Sequence, residues 1–150
     1  MSDISVIARH AVTVLAGQLA VMAFGVTDTI VAGHLSADAL AALSVASAVF
    51  VSVYVSLMGV LQALLPVWAE QHGRGETAAI GQSFRQSLYL AAAASVLGMG
   101  VLLFPEPLLR LTEVPDAMRE SVRDYLIIVG WALPSALFFR LYTTLNQALG

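Results

Sequence analysis

The sequence predicts an all-α integral membrane protein with four transmembrane helices. The 150-residue chain is 59% hydrophobic and 11% charged, whereas an average soluble domain is about 45–50% apolar and about 25% charged. Its apolar residues form four long stretches rich in Ala and Leu, unlike the alternating segments of about ten residues in membrane β-strands. Because a backbone in lipid must satisfy its hydrogen bonds internally, we expect each stretch to be a helix.

The first predicted helix covers residues 8–32. Its apolar run is closed by the polar segment 33–38, which contains the turn-forming residues Gly, Ser and Asp. A cleaved signal peptide is the alternative, because Arg9 precedes the run. The run is longer than the apolar region of about 7–15 residues in a signal peptide, and no clear Ala-x-Ala cleavage site follows it. We therefore expect a membrane helix.

The second predicted helix covers residues 38–68 and the third covers 80–104. No charged side chain occurs from 39 to 69, and this run ends at the polar segment 70–76. The uncharged residues 86–105 would span about 30 Å as a helix, which is one hydrocarbon thickness. Both runs are long enough to cross a bilayer.

The fourth predicted helix covers residues 116–150. Asp116 and Glu120 lie near its start, where the positive end of the helix dipole favours carboxylates. Pro134 lacks the N–H that a helix interior needs and should kink this helix. The kink is a candidate gating hinge, with a packing role as the alternative. Arg140 needs a carboxylate, backbone carbonyls or the membrane interface, and we expect it to snorkel to the interface.

Charge and composition exclude several functions. The net charge is −3 and the seven basic residues, all Arg, are scattered, whereas nucleic acid binding needs a clustered basic surface. The chain has no Cys, and its three His lie at segment ends without metal-ligand spacing. The common nucleotide-binding and hydrolase motifs do not occur. We therefore expect a lipid bilayer as a partner, no nucleic acid, no enzyme activity, no metal site and no cofactor.

The positive-inside rule gives only a weak preference for orientation. Three Arg fall on the side of the N-terminus and three on the other side. The two sets are Arg9, Arg74 and Arg85, and Arg110, Arg119 and Arg123. Arg140 lies toward the end of the fourth helix on the N-terminal side, and so favours a cytoplasmic N-terminus.

Asp28 is the one formally charged residue between His10 and His34. An ionised carboxylate at the centre of a membrane helix costs about 2.5–3.5 kcal/mol on insertion scales, so such residues usually have a function. At 100° per residue, Asp28 shares a helix face with Gly17 and Gly25, which permit close approach of another helix. We expect a protonatable group facing a cavity. The alternative is a carboxylate that reaches the interface and pairs locally.

Candidate substrate-cavity residues lie on the first two helices. Tyr54, Met58 and Gln62 fall within about a quarter of the circumference of the second helix. Polar groups beside an aromatic ring and a flexible Met suit a wet cavity for varied organic ligands. Helix packing with interhelical hydrogen bonds is the alternative. Gln18 on the first helix is open to the same two interpretations.

Small residues on the third predicted helix indicate close helix packing. Two pairs are spaced four residues apart: Ala91 with Ser95, and Ala94 with Gly98. Such pairs let backbones approach where lipid provides no hydrophobic driving force.

Three segments carry a recognisable pattern. The first reads G-V-T-D-T-I-V-A-G-H-L-S at 25–36, followed by A-L-A-A-L-S at 39–44. The second reads L-P-V-W-A-E-Q-H-G-R-G at 65–75. The third runs from E-V-P-D at 113–116 to Pro134. In this order, and over nearly the whole chain, they resemble the multidrug and toxic compound extrusion (MATE) family.

The resemblance implies a twelve-helix transporter built from two pseudo-symmetric six-helix lobes, with these four helices as part of the first lobe. It implies export of organic cations or drugs in exchange for protons or sodium ions, and makes Asp28 a coupling-ion and cavity residue. It also implies a multi-pass protein of a bacterial inner membrane with a cytoplasmic N-terminus. On this interpretation the chain is an N-terminal fragment, which lacks the remainder of the transporter and does not transport alone.

Two positions depart from the family pattern. Thr13 stands where many relatives have Pro, and Glu70 stands where many have Gln. Two other functions stay open. A lipid-linked oligosaccharide flippase of the same superfamily would need a more cationic cavity than Arg140 alone supplies. A small four-helix membrane scaffold subunit, complete at this length, would use Asp28 to hold helices together.

Overall fold

The computed structural model describes residues 3–111 and 114–150 of the chain. Six helices make up most of these residues, and no strand occurs within the two ranges. The helices are α1 (Asp3–Leu35), α2 (Ala37–Gln62), α3 (Leu64–Gly73), α4 (Thr77–Leu103), α5 (Glu106–Leu111) and α6 (Asp116–Leu149). The predicted all-α fold class is confirmed.

Four helical stretches in the described ranges are long and apolar enough to cross a bilayer, judged by length and composition. They are Leu15–Leu35, Ala37–Gly73, Thr77–Leu103 and Asp116–Leu149. Each overlaps one of the four predicted helices. The chain is therefore a multi-pass membrane protein, as its hydropathy predicts.

The stretch predicted as one helix over 38–68 consists of two helices, α2 and α3, which meet at Ala63. Pro66 explains the break, because it has no N–H to donate to the carbonyl of Gln62. Ala63 keeps right-handed helical angles, with φ −61° and ψ −16°. Its N–H still donates to the Gly59 carbonyl at 3.2 Å. The break is therefore confined to a single turn.

Local side-chain and backbone chemistry defines the start of α2 and the end of α3. The Ser36 hydroxyl accepts a hydrogen bond from the Ala39 N–H at 3.0 Å, as an N-cap does at the start of a helix. After α3, Gly75 adopts a positive φ of 72°. Glycine occupies this left-handed conformation without the steric cost that a Cβ would add. Both turns keep the connections between spans short.

The short helix α5 lies between α4 and α6 and is absent from the sequence prediction. It has six residues, too few to show a helical period of apolar positions. Pro105 precedes it and is buried, and the Pro105 carbonyl accepts the Leu109 N–H at 2.8 Å.

The chain divides into two compact units, Met1–Leu43 and Ser44–Gly150. The first unit consists of α1 and the first turns of α2. In the second unit, α4 packs on α6, and α3 packs on both. Among the side chains that the structure describes, the largest fully buried ones all belong to this second unit. Among them are Leu61, Trp68, Leu102, Val122, Leu126, Leu133, Leu137 and Leu141.

Small residues of α4 lie within the core of the second unit. The four that were predicted to pack are all buried: Ala91, Ala94, Ser95 and Gly98. A Cβ placed on Gly98 would overlap Cδ2 of Leu133 on α6 and Cδ1 of Leu57 on α2. The prediction that these residues serve close helix packing is confirmed.

Candidate functional site

Asp28 lies on an exposed face of α1 in the first unit. The same face carries Val21 and Phe24, which are 69% and 77% exposed. A Cβ placed on Gly17 or Gly25 would meet no atom within 4 Å. Within the first unit, this face of α1 is therefore uncovered. The cavity that we expected beside Asp28 and the coupling role of this residue both stay predictions.

The hydroxyl groups of the threonines on either side of Asp28 donate hydrogen bonds to backbone carbonyls of α1 itself. The Thr27 hydroxyl donates to the Ala23 carbonyl and the Thr29 hydroxyl donates to the Gly25 carbonyl, both at 2.8 Å. Neither hydroxyl hydrogen is thus available to the Asp28 carboxylate. A carboxylate at membrane depth without a neighbouring donor needs a proton, a cation or a polar partner to offset the cost of its charge.

Gln18 is exposed on α1, N-terminal to Asp28. Ten residues of α-helix place the two side chains about 15 Å apart along the axis and about 80° apart around it. They do not form a single compact site on α1. A role of Gln18 in a substrate cavity stays a prediction.

Tyr54, Met58 and Gln62 lie on α2 in the second unit and are all partly buried. Because they are four residues apart, each lies about 6 Å along the helix from the next and about 40° around it. The Tyr54 ring stacks on Phe50, with centroids 6.0 Å apart and planes at 9°. These three residues, here called the α2 stripe, therefore form one continuous surface, with the Tyr54 ring at one end and the Gln62 amide at the other. Its role in binding substrate stays a prediction.

Pro134 is partly buried in α6, which continues through it from Asp116 to Leu149. Its neighbour Leu133 and, one turn later, Leu137 are fully buried. The proline thus lies beside the packed face of the helix. A gating motion at Pro134 stays a prediction.

Arg140 is the polar residue whose surroundings differ most from the sequence expectation. Its Nε is buried and has no hydrogen-bond partner. Snorkelling to the interface therefore does not account for the whole guanidinium group. The sequence signal, a lone charge late in an apolar helix, was visible, but the burial depends on packing between distant segments.

Charged residues of α5 and the start of α6 surround a cavity of about 450 Å³. Arg119 pairs with Asp116 at 2.8 Å, and Arg123 pairs with Glu106 at 3.4 Å. The side chains of both pairs are substantially exposed, so each pair adds little stability. No group of three or more His, Cys, Asp or Glu in the described part of the chain could hold a metal ion.

Comparison with known proteins connects these helices to a transporter family. The MatE family profile matches residues 14–150. A probable multidrug resistance protein NorM of Aromatoleum aromaticum is 38% identical over 142 residues, which is 95% of this chain and 31% of the relative. A second NorM, of Chromobacterium violaceum, is 31% identical over 145 residues, 96% of this chain and 31% of the relative. The multidrug resistance protein MdtK of Yersinia pestis is 32% identical over 141 residues, 93% of this chain and 30% of the relative.

The chain spans less than a third of the length of these relatives. No solved structure matches it. The profile nevertheless covers most of the chain and contains α2 to α6 in full, together with Asp28. The chain therefore belongs to the MATE family, which is a family of membrane transporters and not of enzymes.

Proposed function

We propose that the chain is part of a secondary antiporter that exports organic cations or drugs in exchange for protons or sodium ions. The observation that carries the proposal is Asp28, a lone carboxylate within a membrane helix of a MATE family member. The relatives named above are multidrug resistance proteins, which supports drugs as the exported substrates. The coupling ion is the one further ligand, and no cofactor is involved.

The physical basis of coupling is the charge of Asp28. In its ionised form the carboxylate is costly inside the membrane, and binding a proton or a sodium ion removes most of that cost. A bound organic cation would offset the same charge. If coupling ion and substrate bind to Asp28 in turn, while the site opens to opposite sides of the membrane, the two flows become linked.

The uncovered face of α1 is the surface on which the rest of the transporter packs in this proposal. Gly17 and Gly25 leave space for another backbone to approach. Such packing would enclose Asp28 together with Gln18. The α2 stripe of Tyr54, Met58 and Gln62 contributes to the substrate cavity. The protein lies in a bacterial inner membrane with its N-terminus in the cytoplasm.

The test compares neutral and acidic variants in the transporter that carries these residues. Cells loaded with a fluorescent organic cation are energised, and the rate of efflux is measured for wild type, Asp28→Asn and Asp28→Glu. Asp38→Asn is the matched control, because it removes an exposed carboxylate from the first turn of α2. We expect Asp28→Asn to insert normally and to lose ion-driven efflux, Asp28→Glu to retain part of it, and Asp38→Asn to retain all of it.

Efflux by Asp28→Asn at the wild-type rate would contradict the assigned role. A wild-type protein that moves lipid-linked oligosaccharide but no organic cation would identify the flippase alternative.

A further inference from the structure

Arg140 is the one formally charged residue of α6 beyond Asp124. Its Nε is buried without a hydrogen-bond partner. The hydroxyl groups of Thr143 and Thr144 donate to the Arg140 carbonyl at 2.8 and 2.9 Å, so that turn of α6 is held by its own side chains. A buried charged N–H is destabilising until it finds an acceptor. The acceptor therefore has to come from another helix.

Contacts at Gly98 of α4 set the relative heights of α2 and α6. Leu57 of α2 and Leu133 of α6 both reach the position that a Cβ of Gly98 would occupy. Residues 57 and 133 therefore lie at nearly the same position along the helix axes of the second unit.

Further contacts give the directions of these helices. Trp68 Nε1 of α3 donates to the Ser83 hydroxyl of α4 at 3.0 Å, whereas Leu57 of α2 lies against Gly98 of α4. The α2–α3 segment is therefore antiparallel to α4. Gly130 of α6 lies against Leu102 of α4, and α6 is likewise antiparallel to α4. The α2–α3 segment and α6 consequently run in the same direction.

Arg140 is seven residues beyond Leu133. At about 1.5 Å per residue in both helices, it lies level with residue 64, beside the break at Ala63. Seven residues also amount to nearly two full turns, which places Arg140 within about 20° of Leu133 on the wheel of α6. It therefore lies on the side of α6 that meets α2 and α4.

The break between α2 and α3 supplies an acceptor at this height. Pro66 has no N–H, so the Gln62 carbonyl lacks its usual helical donor. Other acceptors are less suitable. The Glu70 carboxylate already pairs with Arg74 at 2.6 Å. The Gln71 Oε1 atom is also buried and unbonded, but it lies about 10 Å further along α3 than residue 64.

The structure contains no hydrogen bond between Arg140 and Gln62, and the Arg140 Nε is left without an acceptor. We propose that in the membrane Arg140 is a positioning residue whose guanidinium group donates to the free carbonyl of Gln62. This bond compensates the missing helical hydrogen bond inside a membrane span, where water is not available. It fixes the angle between α2 and α3, and therefore also the direction in which the Gln62 side chain points at the end of the α2 stripe. The proposal does not depend on transport activity.

The first test is a double-mutant cycle in which the thermal melting temperature, Tm, of the 150-residue chain is measured in detergent micelles. Arg140→Met is expected to lower Tm by about 3–10 °C. Arg140→Lys, which keeps a donor, is expected to lower it by less than half as much. In Pro66→Ala the new N–H satisfies the Gln62 carbonyl, so Arg140→Met should lower Tm by at most half of its effect in the wild type. An equal effect in both backgrounds, or no rescue by Lys, would overturn the proposal.

A second test does not depend on the stability of these variants. The chain has no Cys, so two introduced thiols are the only sites for a bis-maleimide with a reach of one interhelical distance, about 8–10 Å. We expect cross-linking in membranes for Gln62→Cys with Arg140→Cys. The control pair, Tyr54→Cys with Arg140→Cys, should not react, because Tyr54 lies about 12 Å before Gln62 along α2, on the side away from Arg140. Absence of cross-linking in the first pair, or equal reaction of both pairs, would show that Arg140 does not lie at the break.

Discussion

A single methyl group at Gly98 should destabilise the three-helix contact of α2, α4 and α6. In Gly98→Ala the added Cβ would overlap Cδ2 of Leu133, which is fully buried, and Cδ1 of Leu57. Both leucine side chains must then shift, and a χ angle held about 30° off its rotamer costs about 0.5–1.5 kcal/mol. Overpacking of a tightly packed core costs about 1–3 kcal/mol in total. We therefore take about 1–3 kcal/mol as the steric cost.

Gly100 supplies the matched control on the same helix. It is exposed, and a Cβ there would meet no atom within 4 Å. Replacing Gly with Ala raises helix propensity by up to about 1 kcal/mol at either position. The difference between Gly98→Ala and Gly100→Ala therefore isolates the steric cost.

Thermal melting of both variants in the same detergent, monitored by circular dichroism, measures this difference. At about 2–4 °C per kcal/mol for a chain of this size, Gly98→Ala should melt about 2–12 °C below Gly100→Ala. Adding Leu57→Ala should recover part of the loss, because it removes one of the two overlapping groups. Equal melting temperatures for the two glycine variants would refute the close approach of these helices at Gly98.

Two further substitutions test contacts on either side of the second unit. Ser83→Ala removes the acceptor of the fully buried Trp68 Nε1 and should lower the free energy of unfolding by about 1–3 kcal/mol. The exposed control Ser52→Ala should change it by less than about 0.5 kcal/mol, and equal losses in denaturation curves would contradict the Trp68 contact. Glu106→Gln breaks the half-exposed ion pair with Arg123 and should cost at most about 1 kcal/mol, an effect that disappears in high salt. A larger loss that salt does not change would show that this pair is more than a surface interaction.

Hydropathy predicts the four spans well because only a helix satisfies a long apolar backbone in lipid. The predicted third helix, 80–104, lies within a few residues of α4 (Thr77–Leu103). Proline effects are harder to predict. Pro66 accompanies a break, whereas α6 continues through Pro134. The residue type alone does not distinguish these outcomes, because surrounding helices decide how the freed backbone groups are satisfied.

The candidate site was only partly predictable for a similar reason. The charge of Asp28 and the spacing of Tyr54, Met58 and Gln62 are visible in the sequence, since they depend on residue type and helical period alone. The burial of the Arg140 Nε depends on how α6 packs against other helices of the second unit. No local pattern encodes such a contact between distant segments.

Counterflow in liposomes measures whether Asp28 exchanges a coupling ion for substrate, as we propose. The purified transporter that carries these residues is reconstituted, and proton or sodium movement is recorded while an organic cation is added to one side. We expect substrate-driven ion movement in the opposite direction for the wild type, and none for Asp28→Asn. Ion movement of wild-type size in Asp28→Asn would contradict it.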